Sequence, residues 1–281
     1  MALIKFEGKP IEKLIETVSQ GIGILYEPTR IKKLANADAY RYEKMEEAKA
    51  KGLILMADTE NELLIRAKQR LTLQEIDRQI NIDNIVQKSV DALEDSVSET
   101  PVDPDWRSKF FNKAQDISSD ELQEVWAKIL ANEITSPGNV SLRSLEVLSS
   151  LSKAEALIFS KVAKLSFSYG SIYKLYSSQD IKEFNLTFND ILELSACGLM
   201  YDNTSLNITY NIEDSQRGVA LFFGNTIVFC NKENAQTITF DQFKLTPMGA
   251  ELANALKIEK DYNYLDAFIS KCKEDGYIIT K

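Results

Sequence analysis

Asp103-Pro104-Asp105-Trp106, followed by Phe110-Phe111, Glu121-Leu122-Gln123, Trp126-Ala127 and Leu130-Ala131, carries the helix signals around which the chain is organised. Helix starts are spelled out between Asp103 and Leu165. Pro104 stands where a first-turn proline loses nothing, because its missing N–H would be unpaired there anyway. Ser118 with Glu121, and Ser152 with Glu155, have capping-box spacing, in which hydroxyl and carboxylate satisfy each other's orphan backbone donors. Leu122, Val125, Trp126, Ile129 and Leu130 recur at helical spacing, as do Leu142, Leu145 and Leu148. Both tryptophans of the chain fall here, each able to bury about 150–250 Å². The stretch reads as a packed helical module with Trp106, Phe110, Trp126 and Leu130 in its core. It shows no catalytic constellation.

Towards the N-terminus, Pro10 opens a helical pattern in which Ile11, Leu14, Ile15, Val18, Ile22 and Leu25 share one face. Such a helix docks on a protein core. The alternative is a helix lying on a membrane surface, favoured by Lys5, Lys9, Lys13, Arg30, Lys32 and Lys33 but diluted by Glu12 and Glu16. Gly21 and Gly23 lack the third glycine of a dinucleotide fingerprint and read as a helix stop and turn. From Thr29 to Asp95 there is no proline and only Gly52, which predicts long helices, with a fresh start at Leu73 from the Thr72–Glu75 spacing. Their apolar stripes require a partner, within the chain or from another copy. Glu94 to Asp105, acidic and holding Pro101 and Pro104, reads as a linker.

Beyond Leu165 the pattern changes. Ser171 to Tyr176 is β-like, and Thr187 caps a helix from Phe188 to Cys197 that Gly198 stops. Strand-like runs follow at Leu206 to Ile212, Val219 to Phe223, Thr226 to Cys230 and Thr237 to Phe240, with Gly224-Asn225 as a tight hairpin turn. Thr246-Pro247 then opens a helix to Leu256. The predicted fold class is mainly α with a smaller α+β part: long N-terminal helices in residues 1–100, a central helical module in 101–165, and a winged-helix-like unit with a C-terminal helix in 166–281. A DNA reader needs Arg, Lys, Asn or Gln at base edges and cations on the flanking phosphates; that unit offers Asn189, Asp190 and Glu193, and no lysine or arginine lies between Lys182 and Arg217.

Composition narrows the function. There are no histidines, which removes the usual general base near neutral pH, imidazole-based triads and histidine-bound metals. Cys197, Cys230 and Cys272 are far apart and form no zinc pattern. They read as reduced thiols of a cytoplasmic protein. A net charge of −9 opposes binding to nucleic acid. No cofactor and no metal is expected. Asp116, Asp120, Glu121 and Glu124 match no cation-loop spacing and read as an acidic helix start.

Several segments resemble the bacterial domain-of-unknown-function family 2806, whose layout is similar to the abortive-infection proteins called Abi-alpha. The resembling residues are Gly23 to Pro28, Pro101 to Trp106, Ala114 to Ser118, and above all Glu121 to Ala131, with Pro137-Gly138 and Ser141-Leu142-Arg143 after them. The resemblance spans roughly residues 10 to 256. It implies a bacterial protein of antiphage defence and brings no catalytic residue. The expectation is therefore a non-enzymatic interaction or sensor protein that forms a homo-oligomer and meets a second defence protein or a phage component. Tyr26, Glu27, Arg30, Lys33, Gln123 and Arg143 are the candidate interaction residues. Two alternatives stand beside it: a membrane-active effector that uses the first helix in peripheral contact with lipid, and a winged-helix DNA-binding regulator.

Overall fold

Leu14, Val18, Phe110, Trp126, Ile129, Leu130 and Ile134 are buried side by side, and the helices that carry them define the first of two compact units, Met1–Leu145 and Glu146–Lys281. The structure is a computed structural model, and it describes residues 8–24, 26, 46–47, 62–175, 184–203, 205–212 and 218–281. Of the long-helix stretch predicted from Thr29, residues 29–45 and 48–61 lie outside the described residues.

Unit 1 contains α1 (Lys9–Ile22), α2 (Glu62–Ala92), α3 (Pro104–Ala114) and α4 (Asp120–Thr135), and the division between units falls within α5 (Leu142–Ser150). Pro10 opens α1 and Gly23, at φ 74°, closes it in the left-handed conformation that glycine adopts without strain. The helix turns Ile11, Leu14 and Val18 inward against α3 and α4. Gly21 has a second role: a Cβ there would stand 2.2 Å from the ring of Phe111. Asp103 caps α3 by accepting from Trp106 N–H, with Pro104 at the first turn. Trp106 stacks on Phe110 at 4.9 Å, and Phe110 meets Trp126 at 5.1 Å. The Trp106 indole N–H donates to the Val140 carbonyl at 2.8 Å.

Two predicted helix starts are corrected. α2 runs unbroken through Thr72, whose hydroxyl donates back to the Lys68 carbonyl at 2.9 Å in place of capping a new helix. α4 begins one residue later than the Ser118–Glu121 spacing implies. Its cap is Ser119, which makes no side-chain cap bond and donates to the Glu121 carboxylate instead. The acidic stretch before α3 is also held in place: Lys13 donates to the carbonyls of Ser98 and Thr100, Ser98 N–H donates to the Thr135 carbonyl, and Val102 is buried.

Unit 2 contains α6 (Lys153–Lys164), β1 (Ser171–Tyr173), α7 (Phe188–Ala196), β2 (Asn207–Asn211), β3 (Val219–Phe223), β4 (Thr226–Asn231), β5 (Thr237–Lys244), α8 (Pro247–Ala255), α9 (Tyr262–Glu274) and β6 (Ile278–Thr280). The Ser152–Glu155 and Thr187–Asp190 capping boxes both form. The strands make two antiparallel sheets, β1-β5-β2 and β3-β4-β6, with the β3–β4 hairpin inserted between β2 and β5. Gly224, at φ 56°, supplies the positive φ that the two-residue hairpin turn requires at its first position. Phe167 is the hub of the core, with Tyr173, Phe223, Phe268 and Tyr264 at ring-centroid distances of 4.8 to 6.2 Å. Thr246 donates to the Gly198 carbonyl at 2.6 Å and caps α8, and Gly249 lets that helix lie on the backbone of Leu199.

Candidate functional site

The polar residues that the sequence singled out are drawn inward. Gln123 is 2% exposed. Its amide donates to the Ile117 carbonyl at 2.9 Å and to Asn81 Oδ1 at 3.2 Å, while Asn81 Nδ2 donates to the Gln115 carbonyl at 2.8 Å. This knot ties α2 to both sides of the turn between α3 and α4, so Gln123 joins helices of its own chain. Tyr26 is buried as well, and its N–H donates to Ser19 Oγ at 2.9 Å. Arg143 is exposed on α5. Glu27, Arg30 and Lys33 lie outside the described residues.

The acidic start of α4 is paired with cations that the sequence reading did not connect to it. Asp116 accepts from Arg78 Nε at 2.9 Å, and Asp120 lies 2.8 Å from Lys88 Nζ. Both cations come from α2, so these carboxylates fasten helix to helix. An open groove of about 580 Å³ runs along the same side of α2, lined by Arg66, Arg70, Asp77, Arg78, Asn81 and Asp116 among others. Its cations and carboxylates are mixed. No group of three or more metal-ligating side chains occurs among the described residues.

Unit 2 presents a different surface. Cross-strand partners point to one face, so Phe222 with Ile227, Ala220 with Phe229, and Asn231 with Ile278 share the outer side of the β3-β4-β6 sheet. Phe222, Ile227 and Ile278 are 44%, 42% and 52% exposed. No residue of the three strands is charged. The hairpin itself was readable from its two apolar runs and its Gly-Asn turn. β6 was missed, because a run of three residues carries no periodicity to detect.

The profile of the family described as a protein of unknown function, DUF2806, matches residues 65–269. The chain belongs to this family. The match takes in α3 to α8 entire, most of α2 and α9, and all of the β3–β4 hairpin, so both the polar knot and the apolar hairpin are family territory. No curated protein and no solved structure matches the chain.

The reactive side chains within this frame are held quiet. Cys197 donates to Glu155 Oε1 at 3.1 Å, and burial together with that carboxylate pushes its thiol up to about 12. Cys272 is raised well above the thiol range by its hydrogen bond with Cys230 and by burial. A thiol kept protonated is a poor nucleophile. Lys260 donates to the Ala163 carbonyl and to Ser166 Oγ, both at 2.9 Å, and burial lowers its amine to about 8. Its contact with the last turn of α6 is that of a cation at a helix C-terminus.

Proposed function

We propose that the protein is a non-enzymatic interaction and sensor protein of bacterial antiphage defence, acting in the cytoplasm through self-assembly and contact with a second defence protein or a phage component. The observation that carries the binding reading is the outer face of the β3-β4-β6 sheet, where Phe222, Ile227 and Ile278 stand exposed without a charged residue among the strands. Phe222 and Ile227 are cross-strand neighbours at the turn end of this face, Phe229 continues it and Ile278 lies at its far end beside Asn231. An apolar face that continues across a sheet marks an interaction surface. The defence role rests on the resemblance in layout to the Abi-alpha proteins.

Other features support the same reading. The polar side chains of the best-matched block are engaged inside unit 1, and the thiols are held protonated. The winged-helix-like order of unit 2 is used here for protein contact, since α7 presents Asp190 and Glu193 and no cation. The apolar face of α1 is buried against α3 and α4, which withdraws from lipid the side chains a membrane effector would need. No helix among the described residues is long and apolar enough to cross a membrane.

The test is phage plating on bacteria that express the wild type or Phe222→Glu at equal levels. The wild type is expected to lower plaque counts for at least one phage of a broad panel, and Phe222→Glu to restore them. Unchanged counts with the wild type across the panel would remove the defence role. Equal protection by both proteins would remove the sheet from it.

A further inference from the structure

The four strands that end a sheet differ in how they are guarded. β1 is three residues long and is followed by Lys174; β2 alternates Asn207, Thr209 and Asn211; β6 ends at Lys281, which pairs with Asp266. Short length, polar side chains and lysine are the devices that keep sheet edges from pairing with other chains. β3 has none of them: Val219-Ala220-Leu221-Phe222-Phe223 is apolar throughout.

The register of the hairpin fixes which backbone groups lie on that edge. Phe223 and Thr226 flank the two-residue turn and form a hydrogen-bonded pair, so alternation gives Leu221 and Val219 the other ladder bonds to β4. The N–H and C=O groups of Ala220 and Phe222 therefore point away from β4. Among the described residues no other backbone group bonds to them.

Resting on the self-assembly reading above, we infer that β3 pairs antiparallel with β3 of a second copy about a two-fold axis at Leu221, joining two three-stranded sheets into one. The strand is complementary to itself in this register. Ala220 stands opposite Phe222 of the other copy, which exchanges the outward hydrogen bonds of both and sets a small side chain beside a large one on the outer face. Val219 meets Phe223 of the other copy on the inner face. Charge selects the same place: two chains of net charge −9 repel one another, and the contact is made where neither brings a charge. A symmetric contact closes on itself and stops at a dimer.

The experiment combines sedimentation of the full chain over a range of concentrations with amide hydrogen exchange. The expected result is a mass of twice 31.8 kDa at high concentration. On dilution to the monomer, the amides of Ala220 and Phe222 should lose protection while those of Leu221 and Val228 keep theirs. Ala220→Pro removes only an outward N–H and should yield a folded monomer; should that variant misfold, the exchange pattern of the wild type decides alone. A dimer in which Ala220 and Phe222 exchange as fast as in the monomer overturns the edge pairing and leaves self-assembly standing. A monomer at every concentration overturns both.

Discussion

Unit 1 and unit 2 both bury large aromatic rings, yet they treat their polar and apolar surplus in opposite ways. Unit 1 takes polar side chains inside and connects them: Gln123, Asn81 and the carbonyls of Ile117 and Gln115 form one knot, and Glu133, fully buried, accepts from the N–H groups of Gly138 and Val140. Unit 2 fills its core with a ring cluster around Phe167 and leaves Phe222, Ile227 and Ile278 outside. A buried amide that must be satisfied specifies one arrangement of helices. An exposed, uncharged edge strand specifies a partner. On the function proposed above, the first unit is architecture and the second carries the contact.

The largest effects should be equal in the two units. Trp126→Ala and Phe167→Ala each remove a ring at the centre of a core and should each cost about 3–5 kcal/mol in denaturant unfolding. A loss below about 1 kcal/mol at either position would show that its ring cluster is not a core.

Next in size is a pair of substitutions that should separate the units. Gln123→Leu leaves the half-buried acceptors at Ile117 and Asn81 without their donor and should cost about 1–3 kcal/mol. Gln242, buried on β5, already has its Oε1 without a hydrogen-bond partner among the described residues, so Gln242→Leu should be neutral or stabilising. Equal losses at both positions in denaturant unfolding would erase this difference between the units.

A smaller effect is expected from Ser152→Ala, which breaks the capping box at α6 and should cost about 1 kcal/mol. The last concerns pH. Lys260 titrates near 8 in the folded protein against an ordinary 10.5, so between those values the unfolded chain holds the proton more strongly than the folded one. Stability should therefore gain as pH rises through that window, relative to Lys260→Met. Melting temperatures of the two proteins that run parallel across it would contradict the burial of this amine.

Much of this was legible where a local rule fixes a local structure. The caps at Pro104, Ser152, Thr187 and Thr246, the stop at Gly198 and the Gly224-Asn225 turn are each decided by a few neighbouring residues, and each forms as read. Thr72 misled because a threonine hydroxyl serves equally as a cap or as a donor to the carbonyl four residues back, and only continuity with the helix before it chooses. Adjacent Ser118 and Ser119 left the start of α4 uncertain by one residue for the same reason. The role of Gln123 was hidden because its burial depends on α2, far off in the sequence. The exposed sheet face was hidden because a strand's sequence does not name its neighbours: β3 to β4 follows from the turn, whereas β6 joins them from across α8 and α9.

The most direct measurement is the light-scattering mass of the full chain and of Phe222→Glu, whose side chain is exposed and should not disturb folding. The expected masses are twice 31.8 kDa for the wild type and 31.8 kDa for the variant, with matching circular dichroism. The same mass for both proteins, whether monomer or dimer, would contradict the claim that this chain works through the open sheet of its second unit.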